Sequence, residues 1–451
     1  MFSIKTFPLR PSLNTVLGHA QRAVNNIANT MMTTKAPVQD DPQANAMRRL
    51  HIAFAIDGLH NVSGGAERVL ADVTRQLYNR GHRITVLTHE EQNGLSFYPL
   101  KFGIERVDVR PRHSRRKKSP PLDRFRSVGE RSILLALPIW IAQYTPKILR
   151  LRRALRRTQP DVVVGFMPTM FPYSTLATLG LPTRSVTSVH NVPTKEFGSD
   201  PKRWSQNRFD IRIRRLSLRL ADAVTVLLPS FCEEFSRESV RDKTHIIPNM
   251  IHLAERPCAD VRTDDGMNTI LAVGRLADAK DHRSLIEAWS QIEHKYPNWQ
   301  VKIFGKGPLK GSLSRRIRML GVKRLKIHKP TSEIMNEYRA AKILAMPSSY
   351  EGFGLVTAEA LSMGLPVIGF ANCPGTNELV RHNRNGLLAN PRGGRARGFR
   401  HELEKLITNE RLRQKLARKA RSSVEKFSPE TVTDEWERML LNVVGEEPAR
   451  V

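Results

Sequence analysis

At 451 residues the chain is too long for a peptide or a single small module and is sized for two or three domains. Hydrophobic residues make up 40% and charged residues 26%, which excludes a disordered or fibrous chain. Lys and Arg number 73 against 43 Asp and Glu, and the resulting +30 points to an anionic partner, whether nucleic acid, a membrane surface or a phosphorylated substrate, unless the whole host proteome is basic.

Residues 1–46 end in the polar stretch APVQDDPQANA and lack the apolar segment of about 7–15 residues that a secretory signal needs, so they are expected to be a flexible leader. From Met47 onward, short β-branched runs alternate with longer helical stretches, the sequence form of parallel βα units. Strands are expected at HIAFAI (51–56), RITVLT (83–88), DVVVGF (161–166), RSVTSV (184–189) and AVTVLL (223–228), with helices starting near Ala66 and Trp204. The basic run RRKK at 115–118 lies in a Ser/Pro/His-rich loop, either solvated or in contact with phosphate. The uncharged run SILLALPIWIAQYTP (132–146) is shorter than the roughly 20 residues that span a bilayer. With Arg150, Arg152, Arg153, Arg156 and Arg157 after it, it suits a helix lying in an anionic membrane interface, and equally an ordinary packing helix with a basic end. A polar hinge at 248–268 separates this half from strands at TILAVG (269–274), QVKIFG (300–305), ILAMPS (343–348) and PVIGF (366–370). Two doubly wound α/β domains follow. Cys232, Cys258 and Cys373 are widely separated and form no CxxC, which gives neither a disulfide framework nor a zinc site and fits a reducing compartment.

Parallel open sheets bind ligands beyond the carboxyl ends of their strands, which directs attention to the residues just after each one. After 51–56, Gly64 and Gly65 precede a helix, where backbone amides and the helix dipole favour an anion. After 269–274, Arg275 and Lys280 leave the same strand end and are suited to a diphosphate. After 343–348, Glu351 falls in a turn, and Glu359 lies about one turn into the helix opened by Gly352-Phe353-Gly354-Leu355-Val356. The amides near Gly354 and Leu355 would face an anion, leaving Glu351 to accept hydroxyl hydrogen bonds from a sugar and Glu359 from a ribose. Singly, each feature also fits a structural part: a turn, a solvated loop charge or a capping carboxylate.

Together, the run from Glu351 to Glu359 resembles the E-x7-E motif of retaining glycosyltransferases of family 4. The resemblance continues through SSYEGFGLVTAEALSMGLPVIGF (348–370), VGRLADAKDHRSLIEAW (273–289) and GGAERVLADVTRQLYNRGHRITVLT (64–88), covering about residues 50–440. It implies the GT-B fold: α/β, two Rossmann-like doubly wound domains facing a central cleft, at 47–248 and 249–427, with a C-terminal helix in 428–451 crossing back to the first. It further implies that Gly64 and Gly65 form the glycine loop near the donor phosphates and that Arg275 and Lys280 grip the diphosphate. Glu351 would sit beside the donor sugar, Phe353, Gly354 and Leu355 in the donor loop, and Glu359 on the ribose hydroxyls. His190, in SVHN, looks like the family's active-site histidine, and Asn249 matches a hinge Ile-Pro-Asn. Lys329-Pro330 departs from the family's glycine before the nucleobase loop, and ANCPGTNELV (371–380) replaces the commoner GG-x-x-E-I-V while keeping Glu378, as in members that build envelope polysaccharides.

The expected activity is transfer of a hexose from a nucleoside diphosphate sugar, a UDP-sugar being favoured, to a glycan or lipid-linked acceptor, with retention, no metal and no other cofactor. The setting would be the cytoplasmic face of an anionic membrane, with no nucleic acid as partner. The rival is a non-catalytic polyanion- or nucleic-acid-binding protein, supported by the charge but by no recognition module. A silent GT-B scaffold is a second.

Overall fold

The computed structural model describes residues 49–60, 64–90, 96–110, 133–197, 208–235, 240–253 and 266–445. The expected leader, the RRKK run, Trp204 and Cys258 lie outside them.

In the first half, seven strands form one parallel sheet: β1 (His51–Ile56), β2 (Arg83–Thr88), β3 (Glu105–Asp108), β4 (Val162–Phe166), β5 (Arg184–Ser188), β6 (Ala223–Val226) and β7 (Thr244–Ile246), in the order β3-β2-β1-β4-β5-β6-β7. The second half repeats the plan with six parallel strands, β8 (Asn268–Val273), β9 (Trp299–Phe304), β10 (Leu325–His328), β11 (Ala341–Ala345), β12 (Val367–Phe370) and β13 (Gly386–Ala389), in the order β10-β9-β8-β11-β12-β13. The direction of winding reverses between β1 and β4 and again between β8 and β11, and crevices at such switch points are where doubly wound sheets hold ligands. The central strands are apolar and buried because helices cover both faces.

The helices used below are α1 (Gly65–Asn79), α2 (Ile133–Thr158), α3 (Met170–Thr178), α4 (Arg208–Leu220), α5 (His282–Ser290), α6 (Leu355–Ser362), α7 (Arg395–Thr408) and α8 (Pro429–Val444). One buried apolar cluster runs through the junction of the two halves, joining Phe171, Val189 and Phe231 to Leu344, Phe353 and Phe427. The chain crosses between the halves twice, and the crossings are tied where Ile251 N–H donates to the Phe427 carbonyl at 2.7 Å. Capped by Ser428, whose Oγ accepts from Thr431 N–H, α8 then packs on the first domain. Its Trp436 lies 6.3 Å from both Phe54 and Phe166, while Glu437 accepts from Arg80 Nη1 at 2.6 Å and pairs with His82 Nε2 at 2.9 Å.

α2 continues through Pro138 and Pro146. Its inner face seats Trp140, Leu151, Ala154 and Leu155, with Trp140 Nε1 donating to Asp210 on α4 and Tyr144 stacked on Trp140 at 4.7 Å. Its outer face leaves Ile141 and Leu149 nearly half exposed beside Arg153, Arg156 and Arg157. No helix among the described residues is long and apolar enough to cross a membrane.

Candidate active site

The carboxyl ends of β1, β5, β8 and β11 converge on one cleft. On the first-domain side, Gly64 caps α1 with an extended backbone (φ −84°), so its value lies in its small size rather than in a left-handed conformation. A Cβ on Gly65 would lie 3.3 Å from Leu355 Cδ1, which brings the N-termini of α1 and α6 face to face across the cleft. Each terminus carries a partial positive charge that favours an anion between them, and at α1 the Glu67 carboxylate already folds back on the first turn beside Gly64.

On the second-domain side, the turn after β9 packs under the loop after β8. A Cβ on Gly305 would meet the Gly274 carbonyl oxygen at 2.0 Å, and one on Gly307 the Leu276 carbonyl at 2.4 Å, so only glycines let these loops approach. Arg275 on that loop is exposed; its carbonyl accepts from Ala277 N–H at 2.9 Å, and its side chain is turned to no hydrogen-bond or salt-bridge partner among the described residues. Lys280 instead turns inward, donating to both Glu351 oxygens at 2.6 Å, while Ser348 Oγ donates to Oε1 at 2.7 Å. Glu351 is 8% exposed. Arg395, at the start of α7, rivets the base of this arrangement: Nε donates to Asp281 at 2.6 Å and Nη2 to the Pro347 carbonyl at 2.8 Å, with the guanidinium 3.8 Å from the Phe370 ring centre.

Gly354 caps α6 at φ +92°, a left-handed conformation that suits glycine. Glu359, one turn further and 6% exposed, is held from both domains: Tyr338 O–H donates to Oε2 at 2.9 Å, and Arg68 Nη1, from the first turns of α1, donates to Oε1. Burial pulls the Arg68 pKa down, but Glu359 and Asp72 outweigh it and hold the guanidinium above its ordinary value.

His190, just past β5, stacks on Phe166 at 4.3 Å and pairs through Nε2 with Ser188 Oγ at 2.9 Å. Burial lowers its pKa to about 3, so the imidazole is neutral, and its buried Nδ1 has no hydrogen-bond partner among the described residues. Gly352 lies against it: a Cβ there would sit 2.3 Å from the His190 carbonyl oxygen. His282 is also buried, with its pKa lowered to about 4, first by burial and then by Lys280.

Gly64, Gly65, His190, Lys280, Glu351, Gly354, Leu355 and Glu359 thus line one cleft, with Arg275 on its exposed rim. Phe353 departs from the expectation. Its ring is 2% exposed and packs edge-on against Phe427 at 5.1 Å, so it anchors the loop and offers a donor only its backbone. Asn249 is buried at the hinge with its Oδ1 unpartnered among the described residues. Arg68, Tyr338, Ser348 and Arg395 were not anticipated. Arg68 had a signal, since a cation four residues after a glycine cap stands one turn from the anion-binding helix end.

Two Rossmann-like domains meeting at such a cleft define the GT-B class of protein. Residues 63–255 match the family described as Glycosyltransferase Family 4, and residues 259–423 match Glycosyl transferases group 1, so each half of the chain is similar to a glycosyltransferase family domain. It is 32% identical over 173 residues to an uncharacterized glycosyltransferase of Haemophilus influenzae; the match takes in 38% of the chain and 48% of that relative, about half its length. Across 87% of the chain and 99% of the relative, it is 26% identical to the GalNAc-alpha-(1->4)-GalNAc-alpha-(1->3)-diNAcBac-PP-undecaprenol alpha-1,4-N-acetyl-D-galactosaminyltransferase of Campylobacter jejuni. Among solved structures, HepE of Anabaena in complex with UDP and glucose superposes with a TM-score of 0.66 at 18% identity, over 87% of this chain and 99% of HepE. Another relative, 24% identical over 86% of the chain and 99% of its own length, is the amylovoran biosynthesis glycosyltransferase AmsD of Erwinia amylovora.

Proposed function

We propose that the protein is a retaining, metal-independent glycosyltransferase that moves a hexose from a nucleoside diphosphate sugar, a UDP-sugar being favoured, to a hydroxyl of a glycan or lipid-linked acceptor. The observation that carries this reading is the meeting, in one cleft, of two helix N-termini with Lys280, Glu351 and Glu359. The diphosphate would lie between the helix ends, with Arg275 and Lys280 neutralising the charge that grows as the leaving group departs. Glu351 would accept from the sugar hydroxyls, Glu359 from the ribose, and neutral His190 would donate or accept one hydrogen bond at the sugar. The acceptor hydroxyl would then attack from the face the diphosphate left, its proton passing to the departing diphosphate oxygen.

Calorimetric titration of UDP and GDP in EDTA at moderate salt tests the donor site. Micromolar binding of one nucleotide, lost in Glu359→Ala, is expected. No binding, or binding abolished by salt and indifferent to Glu359→Ala, would refute the reading in favour of a polyanion binder. An inverted anomeric product would refute retention.

The acceptor reading rests on the outer face of α2. Ile141, Ala142, Pro146 and Leu149 flank a groove of about 390 Å³ that also takes in Arg150 and Arg153, a mixture suited to the surface of an anionic membrane. That would make the protein a peripheral one on the cytoplasmic face, working in envelope polysaccharide or glycolipid synthesis; a lipid-linked substrate is what the Campylobacter relative's name describes. Flotation with anionic liposomes should be salt-sensitive and should fall when Arg150, Arg153, Arg156 and Arg157 are neutralised. Flotation unchanged by either would reject this surface.

A further inference from the structure

Arg68 reaches across the cleft to the carboxylate that the proposed function assigns to a ribose, and it does so from the opposite domain. An ionised carboxylate has about four lone-pair positions. Arg68 occupies one on Oε1 and the Tyr338 hydroxyl one on Oε2, so each oxygen keeps a free position. Two adjacent acceptors fixed at this separation suit a vicinal diol, which a ribose has and a 2′-deoxyribose lacks. Tyr338 belongs to the same domain as Glu359 and holds Oε2 whatever the cleft does. Arg68 rides on α1, so Oε1 is held only when α1 and α6 face each other as they do here, with Gly65 against Leu355. Asp72 lies 4.0 Å from Arg68 Nε on the same helix and steers the guanidinium toward the cleft.

We propose that Arg68 is a positioning residue of the donor site, clamping Glu359 from the facing domain so that the carboxylate reads the ribose diol only in the closed cleft. The clamp matters only if Glu359 meets a ribose as proposed above. A plain interdomain ion pair would also tie the domains together, but removing it would weaken all nucleotides alike.

The test is calorimetry with UDP and 2′-deoxy-UDP, and with GDP and 2′-deoxy-GDP, on the full chain: wild type, Arg68→Ala, Arg68→Lys, Tyr338→Phe and Glu359→Ala. Wild type should prefer the ribonucleotide by about tenfold or more, the worth of a hydrogen bond to a charged group. Arg68→Ala should shrink that ratio to within about threefold, Arg68→Lys should restore part of it while keeping the charge, and Glu359→Ala, the control, should bind neither nucleotide. Circular dichroism and the thermal midpoint show whether each variant is folded, and Arg68→Lys carries the comparison if the alanine variant is not. An undiminished ratio in Arg68→Ala and Arg68→Lys, or equal weakening of both nucleotides, would overturn the clamp while leaving the donor site intact. Wild type that binds no nucleoside diphosphate would overturn the donor site and the clamp together.

Discussion

Lys280 and Glu351 form a pair whose removal should be felt in folding as well as in ligand binding. Lys280 donates to both carboxylate oxygens, and the two side chains are 24% and 9% exposed. Deleting one partner of a buried pair costs about 3–5 kcal/mol, because the other charge is left desolvated and unmatched. Water reaches a quarter of Lys280 and Ser348 still donates to Glu351, which lowers the expectation for Lys280→Met to about 2–3 kcal/mol. Glu351→Gln leaves the lysine facing a neutral amide near water and should cost about 1–2 kcal/mol. In the double variant neither charge is stranded, so its loss should fall short of the sum by about 1–2 kcal/mol. Urea denaturation of the nucleotide-free protein at neutral pH measures all four corners of this cycle. The double variant should be about as stable as Lys280→Met alone yet bind no nucleoside diphosphate, separating the pair's two roles. Losses that add to within about 0.5 kcal/mol would show that the two side chains are not coupled and refute the reasoning.

Gly352→Ala would thrust a methyl group to 2.3 Å from a main-chain oxygen of the other domain, costing about 2–3 kcal/mol and weakening nucleotide binding with helix content unchanged; an unaltered thermal midpoint and affinity would contradict this. Arg395→Met strips the Pro347 and Ser348 carbonyls of a donor and leaves Asp281 to Ser284 alone, so amide exchange over 348–354 should quicken, readable by mass spectrometry. His282 titrates near 6.5 unfolded and about 4 folded, because burial disfavours its charged form. Its contribution is therefore complete above pH 6.5 and fades as pH falls toward 4, reaching a loss of about 2 kcal/mol at pH 5. His282→Gln should flatten the fall in urea midpoint between pH 7 and pH 5, and a slope unchanged by the substitution would count against it.

The strands legible in the sequence and those that were not divide by position. HIAFAI and RITVLT coincide with β1 and β2, and the other seven expected runs mark their strands to within a few residues. β3, β7, β10 and β13 were not anticipated, and they are the four sheet edges. An edge strand has one neighbour and water on its free side, so segments such as ERVD and LKIH lack the apolar run that marks a central strand. The site divides similarly. Gly64, Lys280, Glu351 and Glu359 stand in local motifs, and the structure gathers them in one cleft. That Lys280 holds Glu351, across 71 positions, and that Arg68 holds Glu359, across 291, are facts of tertiary packing that local spacing does not encode. Phe353 stands in the same motif as Glu351 and Gly354, yet its ring follows hydrophobicity into the core.

The helix that crosses back at the C-terminal end bears on how the protein is made. Val432, Trp436, Met439 and Leu440 complete the core that β1, β2 and β4 begin, and Glu437 meets Arg80 and His82. The ribosome delivers those strands first and their covering helix only after the entire second domain, almost 350 residues later than β2. At about 5–20 residues per second, the half-covered sheet waits on the order of half a minute for its last wall. During that interval its apolar face is the part of the nascent chain most in need of a chaperone. Shortening the chain before Trp436 should leave the first domain, not the second, open to protease.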